Sequence, residues 1–207
     1  MDQRVLVFDN FYDNPSELRR QALELDFSRK PNATYPGQEA IMEGRDWSLE
    51  WSRLRSRIDE KVDASCPKQK PFPQGKFRLA LAEDEHIRRD RAHLDIQRWS
   101  GIIYLTLPED CVSGVILYRN KHTGATVWEQ NWFENRFPSF TTLSISEKKS
   151  EVVKFFADPD NFEEIGVIPM AYNRAILLMA HVFHGSGRGF GSSPQTGRLT
   201  QHFEFYW

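Results

Sequence analysis

The stretch that most restricts the possible fold is the last one, Arg198-Leu-Thr-Gln-His-Phe-Glu-Phe205. Its polar residues Arg198, Thr200, His202 and Glu204 alternate with Leu199, Phe203 and Phe205. A period of two marks a strand, whose successive side chains point to opposite faces. The apolar face needs a core to cover it. The other face carries groups that are costly to bury without partners, so it suits a polar interior better than a dry one. Before it, Asn173 to His184 reads as an apolar strand ending at His184, followed by a glycine-rich turn that leads to Arg198. Two strands joined in this way suit the mouth of a barrel.

The upstream chain divides into a helical part and a strand-rich part. Val5 to Phe8 is a short apolar run suited to a strand. Asn14-Pro15-Ser16-Glu17 has the pattern of a helix start, with Leu18, Ala22 and Leu25 as the buried stripe. Residues 28–45, broken by Pro31, Pro36, Gly37 and Gly44, read as loop. A second helix is expected from about Asp46 to Val62, because Trp47, Trp51, Leu54, Ile58 and Val62 recur at helical steps. Arg53, Arg55, Arg57, Glu60 and Lys61 read as its solvated face. Past the proline-rich residues 68–75, Phe77–Leu81, Gly101–Leu107, Gly114–Tyr118 and Val167–Met170 read as strands, and Lys148–Phe156 as a short helix.

Helices first and strands afterwards predict a mainly β fold with flanking helices, built as a double-sheet barrel with the helices on one sheet. A length of 207 residues suits one domain. Residues 1–66 supply the N-terminal strand and supporting helices, and 77–207 the barrel, with an insertion at about 123–165. With 27 basic against 29 acidic residues, charge gives no case for a nucleic-acid or membrane-surface partner. No apolar run reaches the roughly 20 residues that span a bilayer, and the N-terminus does not read as a signal peptide. Cys66 and Cys111 have no metal-like spacing and are expected to be reduced thiols of a cytoplasmic protein.

The chemistry-bearing residues are His93, Asp95, one of the later histidines, and Arg198. Two histidines and a carboxylate on one face hold iron(II) in many oxygenases and leave positions open for cosubstrate and dioxygen. His93 and Asp95 share a face if their segment is extended, although a His-x-Asp alone also fits a polar strand end. His181 and His184 face opposite ways on a regular strand, so at most one is a ligand unless a bulge intervenes. His184, at the start of the turn, is preferred, leaving His181 as an outer partner or a buried histidine. Arg198 could hold a carboxylate by paired hydrogen bonds, with Thr200 on the same face; the plainer reading is a surface salt bridge.

The order His93-x-Asp95, His184, Arg198-x-Thr200 resembles the Fe(II)/2-oxoglutarate-dependent oxygenases, including their prolyl-hydroxylase-like branch. Gly101-Ile-Ile-Tyr-Leu-Thr followed by Pro108-Glu-Asp-Cys is similar to the strand and turn that follow His-x-Asp there. The opening Phe8-Asp-Asn-Phe-Tyr-Asp-Asn-Pro and the run from Asn173 look like a group of short members. The resemblance implies a double-stranded β-helix (jelly-roll, cupin-like) core. It further implies iron on His93, Asp95 and His184, and 2-oxoglutarate on Arg198 with Thr200. Members often add a tyrosine to the oxo-acid site; whether Tyr104 or Ile103 faces inward is open. With O2, such a site converts 2-oxoglutarate to succinate and carbon dioxide while oxidising a C–H bond of a small-molecule substrate. Asp95 argues against the halogenating relatives, which lack the carboxylate ligand.

Arg98, Trp99, Trp128, Trp132 and Arg188 are candidates for substrate contact, with the insertion as a lid, although core packing is the plainer reading of each aromatic. Their mixture suggests a small polar metabolite such as an amino acid or derivative. A cupin-like zinc-dependent isomerase or hydrolase would use the same three ligands without needing Arg198. A non-catalytic β-sandwich binding module would use the aromatics as a platform.

Overall fold

The computed structural model describes residues 4–30, 35–61, 74–87, 92–137 and 142–206. Val62, Cys66 and most of the proline-rich 68–75 stretch lie outside them, as do the side chains of Glu60 and Lys61. Among the described residues are nine strands and four α-helices. In chain order they are β1 (Val5–Phe8), α1 (Pro15–Leu23), β2 (Gln38–Ala40), α2 (Ser48–Lys61), β3 (Lys76–Ala80), β4 (Trp99–Tyr104), β5 (Gly114–Asn120), α3 (Gln130–Arg136), α4 (Ile145–Ala157), β6 (Phe162–Pro169), β7 (Ala175–Met179), β8 (His184–Ser186) and β9 (Arg198–Phe205). Strands β1-β7-β4-β9-β3-β2 form one antiparallel sheet and β6-β5-β8 a second. This is a double-stranded β-helix with helices covering the larger sheet.

Helix α1 starts as the sequence predicts: Asn14 Oδ1 accepts from the Glu17 amide at 3.3 Å, and Pro15 takes the first helical position. Glu17 does not reach back to the cap; its carboxylate receives Arg20 instead. Leu18 and Ala22 of α1, and Trp51, Leu54 and Ile58 of α2, bury against Phe77, Trp99, Ile103, Leu199, Phe203 and Phe205 of the sheet. A buried indole removes about 200 Å² from water, a gross stabilisation of about 5 kcal/mol. The basic face of α2 is not merely solvated. Arg55 is buried, and the Arg53 and Arg57 guanidinium groups lie 5.0 and 5.5 Å from the ring centroids of Phe11 and Phe8.

Two expectations fail locally. Residues 28–45 are not all loop: Gln38–Ala40 pairs with β3 as an edge strand. Its polar pattern hides a strand because Glu39, 7% exposed, receives Lys30, Lys76 and Arg78. The apolar run to His184 is not one strand either. It leaves the larger sheet after Met179, turns at Ala180 and His181, and begins β8 in the smaller sheet at His184.

The insertion packs its own aromatic cluster, with Phe133, Phe155, Phe156, Phe162 and Phe183 buried together. Helix α4 begins with a full capping box between Ser144 and Glu147.

Gly75, just before β3, has φ +78°, and a Cβ there would meet the Trp47 indole at 2.6 Å. Left-handed backbone and a rigid ring act together, so Gly75→Ala is expected to lose about 2–5 kcal/mol of stability. The shift in the urea midpoint at unchanged slope measures it.

Candidate metal centre

The segment before β4 is stitched to β8 by backbone. The amides of His93 and His184 each donate to the other's carbonyl, at 2.8 and 3.2 Å, and the Asp95 amide donates to Ala180 O at 3.1 Å. This exchange sets the two imidazoles side by side, with ring centroids 4.4 Å apart. One ligand atom from each of His93, Asp95 and His184 lies within 4.8 Å of the other two. His184 Nε2 stands 3.5 Å from Asp95 Oδ2. At its other nitrogen, Nδ1 donates to Val182 O at 2.9 Å, so Nε2 is the nitrogen turned toward Asp95.

Asp95 is oriented from behind. The Ser100 hydroxyl donates to Asp95 Oδ2, and Gln97 Nε2 donates to Ser100 Oγ at 2.6 Å. Burial opposes ionisation of Asp95, but the imidazoles of His184 and His93 and the Ser100 hydroxyl outweigh it, holding the carboxyl well below the usual carboxylate range. The metal-binding form of the side chain is therefore the resting one. Ser100→Ala is expected to weaken divalent-metal affinity about 10- to 100-fold without unfolding the chain, measured by competition with a chelating dye.

On β4, Trp99 and Ile103 face the helices, while Ile102 and Tyr104 face the space between the sheets. This parity puts Tyr104 rather than Ile103 inside. On β9, Leu199, Phe203 and Phe205 face the helices. Arg198, Thr200, His202 and Glu204 line a cavity of about 290 Å³ together with His93, Asp95 and His184.

Arg198 is 7% exposed, and no carboxylate among the described residues lies within ion-pair reach of it. Its Nε and the Tyr104 hydroxyl are both buried without a hydrogen-bond partner, and Arg198 Cζ lies 6.0 Å from the Tyr104 ring centroid. The surface salt-bridge reading of Arg198 is thereby overturned. Burial pushes the Tyr104 phenol up, so its hydroxyl stays protonated as a donor. Two neighbouring orphaned donors are what a buried carboxylate would satisfy. Thr200 Oγ1 is 2.9 Å from His202 Nε2 and also lines the cavity.

Other candidates fall elsewhere. Trp99 is fully buried against the helices, because its side chain shares the face of Ile103. Trp128 and Trp132 pack with the aromatic cluster of the insertion; Trp128 Nε1 donates to Gln130 Oε1, and Trp132 stacks on His122. Arg98 and the exposed Arg188 do not line the cavity, and no described residue of 123–165 covers it as a lid. His181 is exposed and outside the ligand cluster, so it is neither an outer partner nor buried. Tyr35, Arg78, Gln97, Ser100, Glu204 and Tyr206 line the cavity without having been singled out as site residues. Glu204, like His202, which also lines the cavity, carried a signal, the inward parity of its strand.

The fold is shared with a solved non-heme alpha ketoglutarate dependent enzyme. The non-heme alpha ketoglutarate dependent epimerase SnoN from nogalamycin biosynthesis aligns at 12% identity with a TM-score of 0.51, over 99% of this chain and 79% of that one. HygX from Streptomyces hygroscopicus, solved with nickel and 2-oxoglutarate, aligns at 12% identity and 0.49, over 99% and 83%. A Pseudomonas putida prolyl-4-hydroxylase aligns at 12% and 0.44, over 98% and 92%. No curated protein matches the chain. The chain belongs to a family described as of unknown function, DUF6445, which matches residues 1–205. Among the described residues, no helix is long and apolar enough to cross a membrane.

Proposed function

We propose that this protein is an Fe(II)/2-oxoglutarate-dependent oxygenase that oxidises a C–H bond of a small polar metabolite. The observation that carries the reading is the buried Arg198 guanidinium, without an acid and 6.0 Å from the Tyr104 ring centroid, in the wall that also holds His93, Asp95 and His184. His93, Asp95 and His184 would hold the iron, whose preference for two imidazoles and one carboxylate they meet. Arg198 and Tyr104 would hold the far carboxylate of 2-oxoglutarate, with Thr200 beside them. Iron and 2-oxoglutarate, with O2, supply the oxidation of the substrate C–H bond, giving succinate and carbon dioxide as coproducts. The chain's own part is positional. His184 keeps its proton on Nδ1, Ser100 keeps Asp95 turned inward, and buried Arg198 offers a fixed fork to a dicarboxylate.

A zinc-dependent isomerase or hydrolase on the same ligands leaves the orphaned guanidinium and phenol without a use. A purely binding β-sandwich leaves the three converging ligands without one. Incubation with Fe(II), O2 and 2-oxoglutarate is expected to release succinate, slowly without substrate and faster when the right metabolite is added. No succinate above the metal-free control, across a metabolite panel, would remove the reading.

A further inference from the structure

One acid of the cavity has no ion-pair partner among the described residues. Of its two lining arginines, Arg78 donates through Nε to Glu39 at 2.9 Å, and Arg198 is the one assigned to 2-oxoglutarate. Of its two acids, Asp95 belongs to the ligand cluster. Burial and the nearby cations Arg78, Lys76 and Arg198 push His202 well below its usual range, so it is neutral and offers no counter-charge. Glu204 remains. Its carboxylate accepts one hydrogen bond, from the Tyr206 hydroxyl at 3.1 Å; Lys76, near enough to feel its charge, is ion-paired with Glu39 instead, and no cation among the described residues lies within ion-pair reach of Glu204.

The backbone of Glu204 is anchored on both sides. Its amide donates to Gln74 Oε1 at 2.7 Å, and its carbonyl accepts from Trp51 Nε1 at 3.3 Å. Across the sheet it is in register with Ser100, the residue that holds Asp95. It therefore sits at the ligand-cluster end of β9, six residues or about 20 Å of strand from Arg198. A carboxylate there is out of reach of the oxo-acid anchor and next to where a second molecule would approach the metal.

We infer that Glu204, oriented by Tyr206, receives a protonated amine of the substrate, so that the oxidised metabolite is an organic ammonium compound. This rests on the oxygenase reading for the word substrate, but the binding itself does not. A protonated amine supplies up to three donors to a carboxylate that now accepts one hydrogen bond. An anionic metabolite would meet like charge at the same place.

The test uses the iron- and 2-oxoglutarate-loaded protein without oxygen, with n-pentylammonium, n-pentanol and pentanoate as matched probes followed by ligand-observed NMR. The expected result is binding of the ammonium probe in preference to the other two. Glu204→Gln, which keeps the shape and can still accept from Tyr206, should weaken that probe at least about 10-fold, while Tyr206→Phe should weaken it less. An amine bound on the metal instead would ignore both changes. The inference is overturned if the wild-type protein shows no preference for the ammonium probe or does not bind it, or if Glu204→Gln binds it as well as wild type. Should Glu204→Gln not fold, unchanged binding in Tyr206→Phe overturns it. The visible band of the iron and 2-oxoglutarate complex is read in the same samples. Its absence counts against the oxygenase reading, whereas loss of ammonium selectivity with the band intact counts against Glu204 alone.

Discussion

Arg198→Met is expected to lower 2-oxoglutarate affinity by about 100-fold or more. Two charge-assisted hydrogen bonds at about 1.5–3 kcal/mol each set that scale, since about 1.4 kcal/mol is a factor of ten. Lysine at the same position keeps the charge but lacks the planar fork, so Arg198→Lys should recover only part of the loss. Stability gives an independent check. With no acid beside the buried guanidinium, removing it in the absence of 2-oxoglutarate should be neutral or mildly stabilising. At a 2-oxoglutarate concentration 100 times its dissociation constant, the wild-type protein should gain about 2.7 kcal/mol and the methionine variant almost nothing. Calorimetric titration and thermal melts with and without 2-oxoglutarate measure both effects. Equal ligand-induced shifts in the two proteins would show that the anchor lies elsewhere.

The second large effect is loss of the metal. His184→Ala is expected to weaken Fe(II) binding by more than the roughly 100-fold that a missing outer partner costs, because a ligand itself is gone. The fold should persist, since the link between residue 184 and His93 is made by backbone amides and carbonyls that alanine keeps. What the structure loses is the Nδ1 contact to Val182, worth about 1 kcal/mol. His181→Ala is the matched control. Its side chain is exposed and outside the ligand cluster, so metal content should not change. Iron per chain after anaerobic gel filtration, with circular dichroism on the same samples, decides between the two histidines.

The candidate site was legible where side-chain parity carries the information. Strand β9 puts its polar side chains on one face, so Arg198 and Thr200 could be assigned to a common wall from alternation alone. The path of the chain into His184 was not legible. Met179 to Phe183 reads as continuous apolar strand because both sheets demand apolar residues, and the turn at Ala180 and His181 contains neither glycine nor proline. Tertiary contacts set that turn: the Ala180 amide donates to Arg98 O, and the Trp128 amide to His181 O. His181 and His184 are therefore separated by a change of sheet rather than by strand parity. Trp99 stays open between core and substrate contact on sequence alone, because its parity cannot be known until β4 is in register with β7 and β9, which turns it to the helices and Tyr104 to the interior. Strand β2 was hidden by a buried charge, Glu39, whose three cationic partners come from residues 30, 76 and 78.

The most direct test of the central claim is the visible spectrum of the protein under anaerobic Fe(II) as 2-oxoglutarate is added. If His93, Asp95 and His184 hold iron while Arg198 holds the far end of the oxo-acid, a metal-to-ligand charge-transfer band should grow and saturate at one 2-oxoglutarate per chain. A solution that stays colourless at saturating iron and 2-oxoglutarate would contradict the account.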